Sequence, residues 1–276
     1  MPADVRSSVR PTAAVKCALP SAIIRSLTNS DAEAEEWRLR CDMAAVFRVA
    51  ARQGWNEQIG NHNSLMLPQA KPSDPPTFII NPRGYRFEEL TASSLIVCDL
   101  DGRVLRGKGE LRKVAFHIHA RIHLRNPAAA CVLHVHPQYL TALSMLENPE
   151  MVLAHHNNLT LNDRVVVDLQ GDAPVEDNTE GDRIADLMGD KTIMIMAGHG
   201  VTVVGPTLHD AFDELFSAER TGMYQITAMS TGQPLRRLPE HLRQRNKGPR
   251  SSYSDARMHL DAWRRILDRQ EPEYAT

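Results

Sequence analysis

The chain lacks any run of about 18 apolar residues, so no membrane-spanning helix is expected. Near its arginine-bearing start there is no sustained apolar segment, and no secretory signal is read. Charge of one sign is missing too. The 32 Lys and Arg residues face 34 Asp and Glu, a formal net charge of -2. A balance of this kind offers no global field for nucleic acid or an anionic membrane. The basic stretch at 236–250 is local and reads as a solvated tail. None of the four cysteines (Cys17, Cys41, Cys98, Cys131) forms a CxxC pair. Cys98 and Cys131 lie in apolar runs and are expected as small buried hydrophobes in a reducing cytoplasm. No GxGxxG or GxxxxGK[ST] motif is present, which argues against a nucleotide fold, and no internal repeat is found.

What remains is globular in composition: 276 residues, 42% hydrophobic and 24% charged, ample for a real core. Residues 1–30 are rich in Ser, Pro and Ala and read as a flexible arm. A catalytic domain is expected over 31–232, followed by an extension at 233–276 carrying one amphipathic helix. A first helix is expected from Asp31, with Ser30 as its N-cap and Trp37, Leu39, Met43, Phe47 and Val49 as a buried stripe. Strands are expected at 77–80, 95–100, 130–136, 165–169, 192–196 and 201–204, with one more inside 59–68. Helices are expected at 114–126, 137–146, 179–188, 208–229 and 259–269. Helices and hairpin-like strand pairs in this irregular order predict an α/β fold, a layered sandwich around a mostly antiparallel sheet.

The chemistry concentrates on histidine. His134-Val135-His136 ends an apolar strand, and residues two apart on a strand point the same way. Two imidazoles side by side, with Pro137 stopping the strand, form a ready chelate for zinc or iron. His199 follows a second buried strand between Gly198 and Gly200, whose backbones allow sharp turns and close approach. Three neutral histidines without a thiolate make an open-sided metal site, better suited to catalysis than to structure. His155 and His156 diverge as neighbours on one strand and would at most shape a pocket wall. His117, His119 and His123 lie on the 114–126 helix and read as packing or supporting residues.

In order, GNHNSLMLP, FIINPRG, LTASSLIVCDLDG, FHIHARIHLRNPAAACVLHVHP and KTIMIMAGHGVTVVG before a long helix resemble the class II aldolase/adducin family over about residues 42–232. The resemblance implies a three-layer α/β/α sandwich, a divalent metal on His134, His136 and His199, and a homotetramer. The family's sugar-phosphate aldolases carry Ser-Ser-Glu before the helix, with the glutamate as acid/base four residues ahead of the histidine matching His117. Here Leu111, Arg112 and Lys113 stand there, so cleavage of a phosphorylated sugar is disfavoured. Glu110 is the nearest carboxylate that could take over. Arg112 and Lys113 are candidates to neutralise a substrate carboxylate, or else solvated loop charges. Asn63 and Ser64 match the family's substrate loop, or cap a turn. The chain also resembles an Fe(II) oxygenase branch, the prenylated 4-hydroxybenzoate synthases of aminocoumarin antibiotic biosynthesis. That likeness implies oxidative decarboxylation of a small aromatic (prenylated 4-hydroxyphenyl) 2-oxo or hydroxy acid to a benzoate, with Fe(II), O2 as co-substrate and no 2-oxoglutarate. Zinc with an aldolase or lyase reaction, and a non-catalytic adducin-like binding protein, are the alternatives.

Overall fold

The computed structural model describes residues 29–276 except 72, 127, 171–176 and 245–254. Most of the N-terminal arm, and Cys17 with it, lies outside the described residues. Eight strands form one sheet in the order β4-β3-β2-β1-β5-β8-β7-β6. They are β1 His62–Met66, β2 Thr77–Ile80, β3 Ile96–Asp99, β4 Val104–Arg106, β5 Cys131–Val135, β6 Val165–Asp168, β7 Ile193–Met196 and β8 Gly200–Gly205. Every pairing is antiparallel except β6 with β7, which is parallel. Seven α-helices accompany the sheet among the described residues: α1 Asn29–Arg52, α2 Lys113–Arg125, α3 Gln138–Ser144, α4 Asn178–Met188, α5 Leu208–Met229, α6 Glu240–Gln244 and α7 Ala256–Gln270. None of them is long and apolar enough to cross a membrane.

The strands sort their side chains by alternation. Cys131, Leu133 and Val135 of β5, with Val201 and Val203 of β8, face the larger core under α1, α3, α5 and α7. Val132 and Val204 face the other way, packing with Ile122 of α2 and Ile184 and Met188 of α4. Two helical layers therefore enclose the sheet, the α/β/α sandwich anticipated above. The C-terminal segment is part of the larger core: Leu260, Leu267 and Tyr274 are fully buried in it. Arg264 reaches the buried Asp42 carboxylate at 2.5 Å, tying α7 to α1.

Helix α1 departs from expectation at its start. It begins at Asn29, so Ser30 lies within it instead of capping it. Ala and Glu fill residues 32–36 and favour propagation of the helix toward its N-terminus. Trp37 is exposed, not part of the buried stripe, because the first turns overhang the core and continuous burial starts at Arg40. Residues 92–94 form a 3-10 turn. Cys41, Cys98 and Cys131 are free and buried. Burial pushes the Cys98 thiol up to about 12, so it behaves as a small hydrophobe.

Helices α2 and α4 touch at a glycine. A Cβ on Gly181 would collide with the His117 carbonyl oxygen and lie 2.8 Å from Arg121 Cγ. The pair is then locked by ion pairs, Arg121 to Asp182 at 2.5 Å and Arg125 to Asp186. Gly181→Ala should cost about 3 kcal/mol of stability, since neither backbone can yield without parting the helices. Urea unfolding of the variant against the parent measures this; an unchanged midpoint would show that the crossing is loose.

Candidate metal centre

His134, His136 and His199 each offer one nitrogen within 4.8 Å of the other two. Their ring centroids lie 4.7–5.3 Å apart. Different parts of the backbone set each one. The His134 N–H donates to Asn63 Oδ1 at 3.1 Å, and the His136 N–H to the Trp55 carbonyl at 2.8 Å. Helix α3 starts directly after His136 and Pro137; its Tyr139 and Leu140 N–H groups donate to the Glu219 carboxylate on α5, both at 2.9 Å. The turn bearing His199 is anchored by the Gly198 N–H on the Ser144 carbonyl, 2.9 Å, at the other end of α3. Gly198 has φ +66, in the left-handed region that favours glycine. At Gly200 the need is space: a Cβ there would lie 2.5 Å from His136 Cδ2 and 2.7 Å from the Val135 carbonyl oxygen.

Protonation suits ligation. Thr202 Oγ1 donates to Met196 Sδ at 3.5 Å and stands 3.2 Å from His134 Nδ1. With His134 Nδ1–H donating to Thr202, Nε2 keeps its lone pair for a cation. Burial first, then the neighbouring imidazoles, hold His134 well below the usual histidine range. A neutral, oriented imidazole is what a divalent cation binds. Three imidazole nitrogens with no thiolate fit an open Zn(II) or Fe(II) site.

The three histidines border a cavity of about 290 Å³. Its other walls include His62 on β1, Arg112 and Ile118 at α2, Glu180 and Ile184 on α4, and Thr202 on β8. Arg112 is thus brought to the centre, where its guanidinium also donates to the Ile59 carbonyl at 3.4 Å. Other candidates lie elsewhere. Lys113, first residue of α2, is exposed and does not line the cavity. Glu110 is exposed and 3.7 Å from Arg83. His117 Nδ1 pairs with Asn178 Oδ1 at 2.8 Å, joining α2 to the start of α4. Asn63 and Ser64 sit inside β1, fully buried, so neither caps a turn. His155 and His156 are exposed, and the His155 ring lies 4.9 Å from Tyr224.

Sequence reasoning missed His62, Glu180 and Thr202 among the cavity residues. His62 precedes Asn63 in the motif already singled out, and its register partner on β5 is His134. Glu180 is a buried carboxylate held by Arg183 at 2.6 Å, itself paired with Asp168 at 2.6 Å. It sits outside every motif, and only the packing of α4 on α2 brings it here.

The family model for the class II aldolase and adducin N-terminal domain matches residues 41–226. A Caulobacter vibrioides protein named "Putative aldolase class 2 protein" is 31% identical over 91% of this chain and 96% of its own length. Human gamma-adducin is 28% identical over 69% of this chain, which spans 27% of adducin's length. An aldolase II superfamily protein from Pseudomonas syringae superposes with a TM-score of 0.79 at 27% identity, covering 88% of this chain and 96% of that one.

Two predictions follow from this geometry. Gly200→Ala should weaken Zn(II) affinity by about 10–100-fold by displacing the His136 ring, whereas His199→Ala, which removes a ligand outright, should weaken it more. Competition with a chromogenic chelator ranks the two, and equal affinities in parent and both variants would show the ion binding elsewhere. In metal-free protein, burial depresses His123 to about 4 and holds His62 and His119 well below their usual range. A folded pKa below the unfolded value of about 6.5 gives stability that is complete above pH 6.5 and lost as pH falls toward 4. His123 alone accounts for about 3 kcal/mol of that loss. Denaturant midpoints between pH 7 and 4.5 check it, and a flat profile would mean that the rings are not buried in solution.

Proposed function

Because the chain belongs to the class II aldolase/adducin family, we propose that it is a divalent-metal lyase that cleaves a carbon–carbon bond in a small, non-phosphorylated oxo or hydroxy acid. The observation that carries this reading is a cavity lined by three imidazoles, one guanidinium and one carboxylate, with the imidazole nitrogens converging. A metal ion on the histidines would act as a Lewis acid, polarising a bound carbonyl or hydroxyl oxygen.

The rest is done by the protein's own side chains. Arg112 stands at the N-terminus of α2, whose first N–H groups have no side-chain cap. The helix dipole and the guanidinium together make one wall attractive to a carboxylate. No hydroxyl from residues 111–113 joins them, which suits a single carboxylate better than a phosphate. Glu180, on the opposite helix, supplies the acid/base carboxylate that position 113 lacks. Arg183 fixes its orientation. A homotetramer, the assembly that the family resemblance implies, belongs to the same proposal and is checked by mass in solution.

The apolar side of the cavity favours a second reading. Val114, Ile118, Ile184 and Met196 would accept an aromatic ring. With Fe(II) and O2 the same centre would serve oxidative decarboxylation of an aromatic 2-oxo acid, prenylated or plain. The lyase reading is preferred because that oxidation assigns no task to Glu180.

Anaerobically purified protein loaded with Zn(II) is expected to cleave 4-hydroxy-2-oxo acids without oxygen. Glu180→Gln should lower kcat by about 10²–10⁴-fold, and Arg112→Ala should act mainly on KM. Turnover that needs Fe(II) and O2, with carbon dioxide released from a 4-hydroxyphenylpyruvate, would replace the lyase with the oxygenase.

A further inference from the structure

Behind the metal centre runs an unbroken line of buried polar groups. His62 Nδ1 lies 2.8 Å from His119 Nε2, and His119 Nδ1 lies 2.6 Å from Ser64 Oγ. Ser64 Oγ lies 2.8 Å from His123 Nε2, and His123 Nδ1 lies 2.6 Å from the Ala129 carbonyl oxygen. All four side chains are buried. The first ring also stacks on His134, with centroids 4.8 Å apart and planes at 27°.

The end of the line fixes every proton along it. A carbonyl oxygen only accepts, so His123 Nδ1 carries hydrogen and its Nε2 accepts. Ser64 must then donate to His123, which leaves its oxygen to accept from His119 Nδ1–H. His119 Nε2 is therefore the acceptor, and His62 Nδ1–H is the donor to it. What remains at the cavity end is the Nε2 lone pair of His62. That atom makes no hydrogen bond among the described residues, yet His62 lines the cavity. Nor does it belong to the set of converging metal ligands.

We propose that His62 is a substrate-contacting residue whose Nε2 accepts a hydrogen bond from a substrate hydroxyl, and that His119, Ser64 and His123 are positioning residues that hold it in the accepting tautomer. The inference rests on the lyase reading and narrows its substrate class to acids carrying a free hydroxyl. Arg112 takes the carboxylate, and His62 selects the hydroxyl over an unsubstituted carbon at that place. An imidazole fixed this way offers an acceptor and no donor, so an analogue lacking the hydroxyl leaves a buried lone pair unmatched.

Long-range 1H–15N spectra of protein labelled in its imidazole nitrogens read the tautomers directly, without turnover. His62, His119 and His123 are all expected as Nδ1–H in the Zn(II)-loaded chain. Ser64→Ala removes the one hydroxyl in the line and should release His119 and His62 into mixed tautomers while Zn(II) stays bound. As a binding probe, L-lactate is compared with propionate. His62→Phe keeps a ring on His134, and should weaken lactate by about tenfold, leaving propionate unchanged. An Nε2–H tautomer at His62, tautomers unmoved by Ser64→Ala, or equal lactate affinity in the parent and His62→Phe would each overturn the proposal. Failure of the lyase reading looks different: the Zn(II)-loaded parent then cleaves no hydroxy acid while the tautomer pattern stays intact.

Discussion

The site depends on one row of residues across the middle of the sheet. Antiparallel register pairs His62 of β1 with His134 of β5, and His134 with Thr202 of β8. All three therefore project toward α2 and α4, at adjacent strand spacing. One neighbour stacks on the His134 ring while the other holds its Nδ1 hydrogen. A slip of one residue in either pairing would turn the imidazoles into the apolar core on the other face. Because the opposite faces of β1, β5 and β8 are packed in the larger core, such a slip would expose Leu65, Leu133 and Val203 to the polar side. Hydrophobic burial on one face thus holds the chemistry on the other.

That arrangement puts imidazoles into a buried space, at a cost. A charged histidine there would lack solvent, and burial keeps His62, His119, His123 and His134 neutral. Neutrality is also what makes them useful. A protonated ring cannot bind a cation, and a ring with an undefined tautomer cannot present a defined acceptor. The line to the Ala129 carbonyl satisfies the buried nitrogens and sets their direction at the same time. Stability and the capacity of His134 to bind a cation therefore share one pH window, both being lost as these rings take up protons.

Much of the fold was legible because it follows from periodicity. The short apolar run in residues 131–135, and the long apolar stripe of α5, name their own elements, and the α5 limits, 208 and 229, are those expected. The HxH pair was legible because a strand places residues two apart on one side, and Gly200 announced a close approach that the His136 ring explains. Other features need distances in three dimensions. Asn63 and Ser64 look like turn residues in a string of polar letters; only pairing with β5 shows them as a clamp and a relay. The alternation that places His134 toward α2 says nothing about which strand lies beside it, so His62 stayed out of sight. Exposure of Trp37 depends on where along α1 the packed core begins, which no local pattern encodes.

The absent carboxylate at position 113 and the unforeseen one at 180 are two sides of the same packing event. Lys113 opens α2 facing solvent, while Arg112, one residue earlier, turns toward the cavity. Across from it, Gly181 lets α4 lie directly on the α2 backbone, and the residue before that glycine is Glu180. A side chain at 181 would push the helices apart and carry Glu180 away from the histidines. Cation and carboxylate are thus supplied by facing helices, their separation set by a glycine contact. In the proposed site the spacing of Arg112 and Glu180 is a matter of interhelical distance, so substitutions that alter the crossing should move these groups even where they touch no cavity residue.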